Sequence, residues 1–152
     1  MNAPLNLLFS AFAFAAGAAA ASQGAANAGL SARIGLGPAL ILNTLVVLAF
    51  AVGLHLVRSA MGHGADRGFF PPGTPWWLYS GGAFGFVIIA SLAFVFPKIG
   101  AAYAVALMVL GQGVAALAID HFGWLAMPAS PTTLLRVAGL ALVAAGAALL
   151  RA

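Results

Sequence analysis

Five long apolar runs, separated by short stretches rich in glycine, proline and charge, set the pattern of this chain. The first covers residues 4–22 and continues in helical register through "QGAANAGL". The others cover about 39–57, 76–96, 101–119 and 134–150. Each reaches the roughly 17 to 25 residues that an α-helix needs to cross about 30 Å of hydrocarbon. Between them lie the breakers "RIGLGP", "GHGADRGFFPPGTP", "PKIG" and "MPASPTT". The pattern predicts an all-α, polytopic membrane bundle of five transmembrane helices. It occupies residues 1–152 as a single domain, with the termini on opposite sides of the membrane. The opening "MNAP" carries no Lys or Arg, so the first run reads as a membrane helix and not as a cleaved signal.

Composition strengthens this picture. Hydrophobic residues make up 64% of the chain and charged residues 5%, against about 25% charged in an ordinary soluble domain. Rows of small residues (Ala13, Gly17 and Ala21; Gly81 and Gly85; Gly139 and Gly146) suit the close helix approach on which packing in lipid depends. The net charge of +4 comes from basic residues scattered singly, which excludes a nucleic-acid stripe. Their distribution is even. Arg33, Lys98 and Arg151 fall on one side of the predicted membrane, and Arg58, Arg67 and Arg136 on the other. With three against three, the positive-inside rule has almost nothing to act on. Either a small bias sets one orientation, or the chain inserts both ways.

A polar group in hydrocarbon needs a partner or a purpose. Gln23 and Asn27 are four residues apart, on one face of the first helix. Their amides suit a hydrated path for a neutral or cationic solute, or an interhelical hydrogen bond. Gln112 stands near the middle of the fourth run between Gly111 and Gly113, with the same two readings. Tyr103, two and a half turns earlier, need not share its face. Trp76 and Trp77 open the third run as interfacial anchors, and Trp77 is also placed to line a cavity mouth. Asp120 ends the fourth run, where the helix dipole disfavours a carboxylate, so it needs a compensating charge. Arg136, at the start of the fifth run, is the candidate for a structural pair. Alternatively Asp120 with His121 forms a titrating group coupled to transport. Gly123 is expected to end the helix in the left-handed conformation.

Catalytic chemistry has little to work with. Asp66 and Asp120 are the only carboxylates, the three histidines are dispersed, and there is no cysteine. No metal-ligand spacing, phosphate-binding loop, dinucleotide fingerprint or nucleophile–base set is present. No enzyme, cofactor or metal site is expected.

The succession Gln23–Asn27–Leu30, "RIGLGPA", "WW…GGAFGFVIIAS", "PKIGAA", "GQ…AIDHFGWLAMP" and "LLRVAGLALVAAGAALL" resembles the small five-helix bacterial family of the drug/metabolite transporter superfamily. The resemblance covers nearly the whole chain and is most specific from Trp76 to Gly146. It implies a half-size transporter unit in the inner membrane that pairs antiparallel with a second copy or with a sister subunit. Two oppositely inserted copies build the inverted repeats used in alternating access, with the solute path between them. Small multidrug exporters of that superfamily couple to protons through a glutamate in the first helix, where the nearest polar group here is Gln23. The expected function is small-molecule export, with Gln23, Asn27, Gln112, Tyr103 and Trp77 lining the path and lipid as surrounding partner. The alternative is a non-transporting membrane subunit that holds a partner protein or a lipophilic ligand on its small-residue faces.

Overall fold

The computed structural model describes residues 3–62 and 68–151, so Asp66 and Arg67 lie outside the described residues. Every regular element among the described residues is helical: α1 (Ala3–Ile34), α2 (Leu36–Ala60), a 3₁₀ turn at Trp76–Ser80, α3 (Gly81–Ile99), α4 (Ala101–Phe122), a short 3₁₀ turn at Trp124–Ala126, and α5 (Leu134–Leu149). Helices satisfy their own backbone groups, which is what an apolar run in lipid requires. Four elements are long and apolar enough to cross a membrane: Asn6–Ile34, Leu36–Ala60, Trp76–Ile99 and Ala101–Phe122. The last apolar run forms a shorter helix of 16 residues, about 24 Å long. It starts at Leu134, where Thr133 caps it, its hydroxyl accepting a hydrogen bond from the Arg136 backbone N–H at 3.3 Å.

Side chains on these helices mostly point outward. Phe14, Phe50, Leu134 and Leu142 are three-quarters exposed or nearly so, and many other large apolar residues are about half exposed. A soluble domain would bury such groups, and in lipid they face a solvent as apolar as themselves.

The helix breaks follow one physical rule twice. The expected linker "RIGLGP" reduces to one residue, Gly35, and "PKIG" reduces to Gly100. Both glycines adopt φ, ψ values open in practice only to glycine, 91° and 157° at Gly35 and 81° and 152° at Gly100. Each donates its N–H four residues back, to Ser31 O at 2.9 Å and Phe96 O at 3.0 Å. Each also accepts from four residues ahead, from Ala39 N and Ala104 N, both at 3.2 Å. Pro38 is tolerated because it lies in the first turn of α2, where its missing N–H has no helical partner to lose. Pro97 lies in the last turn of α3, so the helix continues past it and stops only at Gly100. The likeness extends to burial. Ala39 and Ala104 are buried four residues after their glycines, while Asn27–Ala28 and Leu92–Ala93 are buried eight and seven residues before. A basic residue and an isoleucine precede each glycine: Arg33–Ile34 and Lys98–Ile99.

By Cα proximity the chain forms two units, Ala26–Phe94 and a second made of Met1–Ala25 with Val95–Ala152. Within the Ala26–Phe94 unit, Gly37, Leu40, Ile41, Thr44, Leu45 and Phe86 line an apolar groove of about 380 Å³. Thr44 is no polar presence in it, since its hydroxyl donates to Leu40 O at 2.9 Å. His55 on α2 meets Phe69 at 5.9 Å, and Phe70 meets Tyr79 at 5.4 Å between centroids.

In the second unit, α4 and α5 pack as a hairpin. Gly113 lies at their contact, where a built Cβ would stand 2.6 Å from Leu140 Cδ1. Alanine at 113 therefore forces Leu140 to another rotamer or the helices apart. We expect Gly113→Ala to destabilise the protein by about 1–3 kcal/mol, and Gly113→Ala with Leu140→Ala to lose less than the two single losses added. Thermal midpoints of the four proteins in detergent check this, and strict additivity would refute the contact.

Candidate functional site

The polar side chains predicted to line a solute path lie on α1, on α4 and in the 3₁₀ turn before α3. Gln23 and Asn27 stand one turn apart on the continuous helix α1. Gln23 is exposed, while Asn27 is 5% exposed and its amide nitrogen has no hydrogen-bond partner among the described residues. A buried amide donor left without a partner costs about 1–3 kcal/mol. On α4, Tyr103 is half-buried in the first turn and Gln112 is exposed half-way along. Nine residues of helix turn them to opposite faces of α4. No described side chain or backbone group bonds the Gln112 amide, although Gly113 beside it touches α5. Trp77 is exposed in the 3₁₀ turn that precedes α3, edge-on to Trp76 at 6.2 Å.

Asp120, His121 and Arg136 do come together. Gly123 ends α4 in the left-handed conformation (φ 63°, ψ 34°), and Leu125 takes a similar one (φ 56°), which no sequence signal announces. The two reversals fold the connection back over the helix end. Ser130 N–H then donates to Asp120 O at 2.7 Å, and Thr132 N–H to His121 Nδ1 at 3.3 Å. Arg136 Nη1 lies 3.2 Å from Ser130 Oγ and 3.8 Å from Asp120 Oδ2. The charged pair is thus within Coulombic reach but too long for a hydrogen bond, and both side chains are nearly half exposed (43% and 47%). Such a pair contributes at most about 1 kcal/mol. The His121 ring also meets Phe122 edge-on at 4.9 Å. Ser130, Thr132 and Thr133 were read from the sequence as breakers only. The signal for one of them was available, since a threonine immediately before "LLRVAGL" is a helix cap.

Between α4 and α5 a groove of about 440 Å³ runs from Val109 and Val143 to the Asp120–Arg136 pair, past Gly113, Ala116, Leu117 and Leu140. No group of three or more metal-ligating side chains occurs among the described residues.

These features define a polytopic α-helical membrane protein with amide side chains on its described helices and the Asp120–Arg136 pair at the end of α4. More particularly, residues 8–149 match the family model described as "Putative inner membrane exporter, YdcZ", of drug/metabolite-transporter type, and the chain belongs to that family. It is a multi-pass protein of the inner membrane. No curated protein and no solved structure matched the chain.

Proposed function

We propose that this chain is one half of a small-molecule exporter, and that two copies, inserted oppositely, enclose the solute path between them. One observation carries the reading: Gln112, midway along a membrane-length helix, is exposed and unbonded among the described residues. An amide facing hydrocarbon there costs several kcal/mol. A second subunit, or a water-filled path bounded by one, removes that cost. The even split of basic residues supports the antiparallel arrangement, since neither orientation is strongly favoured. A sister subunit inserted the other way would serve the same geometry.

Gln112, Gln23 and Asn27 present neutral donors and acceptors, and no carboxylate stands midway along a described span. The path accordingly suits neutral, hydrogen-bonding solutes better than permanent cations. Trp77 supplies an aromatic wall, whereas Tyr103 is turned to the face of α4 opposite Gln112. Asp120, His121 and Arg136 tie α4 to α5 at the membrane boundary.

The natural chain has no cysteine, so single-cysteine probes are clean. A cysteine at position 112 is expected to react with a membrane-impermeant maleimide from both sides of the membrane. A cysteine added at the C-terminus is expected to label both in intact cells and in inverted vesicles. Labelling of the C-terminus from one side alone removes the antiparallel homodimer. If no aqueous reagent reaches position 112, the protein is a non-transporting subunit with a dry interface there.

A further inference from the structure

We propose that the groove between α4 and α5 holds a phospholipid with a primary-amine, zwitterionic headgroup, seated on the Asp120–Arg136 pair. The two ends of the groove differ in kind. Its walls from Val109 to Leu117 and from Leu140 to Val143 are apolar, and along α4 they extend about 17 Å from Val109 to Asp120. That is a bed for an acyl chain. Its mouth lies at the C-terminal turn of α4 and the N-terminal turn of α5, where the apolar runs end and headgroups begin.

The mouth carries one positive and one negative group, and neither is used up by the other. At 3.8 Å the pair makes no hydrogen bond, and each member is nearly half exposed. Their positions are held from behind. The Arg136 guanidinium is anchored on Ser130 Oγ, Ser130 N–H is bound to Asp120 O, and Thr133 caps the helix that bears Arg136. A fixed guanidinium beside a fixed carboxylate is complementary to a phosphate with an ammonium two carbons away. Phosphate oxygens accept from Arg136, and the ammonium donates to Asp120. A quaternary ammonium has no N–H for the carboxylate, and an anionic headgroup places nothing positive against it. The pair therefore selects the primary amine over both, whereas a lone arginine would favour the anionic lipid.

The test does not depend on transport or on pairing. Purified full-length protein is stripped of lipid and offered phosphatidylethanolamine, its mono- and dimethyl derivatives, phosphatidylcholine and phosphatidylglycerol of one acyl composition. Retention is read by native mass spectrometry and thermal midpoint. Charge pairs this exposed correspond to a preference of about two- to fivefold. Phosphatidylethanolamine is expected to lead by that factor, with retention falling stepwise on N-methylation. Asp120→Asn should abolish the discrimination between ethanolamine and choline headgroups. Arg136→Gln should weaken both, and Arg151→Gln should change neither. Equal retention of all headgroups by the natural protein, or a preference for phosphatidylglycerol, overturns the proposal. So does discrimination that survives in Asp120→Asn. Should that variant fail to fold, the methylation series on the natural protein decides alone.

Discussion

Replacing Gly35 or Gly100 by alanine will destabilise the protein by about 1–3 kcal/mol each, although neither position is crowded. A Cβ at Gly100 would meet nothing within 4 Å, and at Gly35 only Pro38 Cδ at an ordinary 3.8 Å. The loss comes from the backbone. With φ near +85° and ψ above 150°, both residues occupy a region closed to residues that carry a Cβ, and relaxing either one swings the following helix away from the preceding one. Gly17 and Gly139 are the controls. They are helical, equally uncrowded and without positive φ, so alanine there should be neutral or stabilise by up to about 1 kcal/mol. Thermal unfolding of the four variants in one detergent gives the comparison. If Gly100→Ala behaves like Gly139→Ala, the single-residue turn is not a constraint on the fold.

This pair of turns also marks how far hydropathy reads the chain. The long runs are legible because a bilayer tests a helix chiefly by length and apolarity, and α2, α3 and α4 fall where the runs predict. The ends are not. The linker around Gly35 looks six residues long, yet a glycine at positive φ needs no loop, and Pro38 and Pro97 fit within terminal helical turns. The extended first run is helical as far as Ile34, well past its strongly apolar part, because nothing before Gly35 breaks it. Periodicity likewise has no means of separating Asn27 from Gln23. They share a helix face, but only packing against non-local residues makes one buried and leaves the other exposed. At the end of α4 the charges were legible and their scaffold was not. Ser130 and Thr132 act through backbone N–H groups brought round by two left-handed residues, one of which is a leucine.

Asn27 offers the sharpest separation of architecture from function. Its counterpart before the Gly100 turn, also eight residues upstream of the glycine, is Leu92, buried to the same degree (7% against 5%). Leucine is therefore what a buried position of this kind accepts on packing grounds, and asparagine is the exception, with an amide nitrogen that finds no partner among the described residues. Replacing Asn27 by leucine, which is larger but shares its branching at Cγ, removes a desolvated donor and should raise stability by about 1–2 kcal/mol. If the amide serves the solute path, the same change should abolish ligand-induced stabilisation in a panel of small neutral compounds that shift the natural protein. Stability and binding thus move in opposite directions, as expected where a polar group is kept for function at the expense of the fold. Loss of binding with loss of stability would instead mean that the amide has a structural partner, most simply in the second subunit. Retained binding in a more stable variant would remove Asn27 from the path and leave Gln112 and Gln23 to carry it.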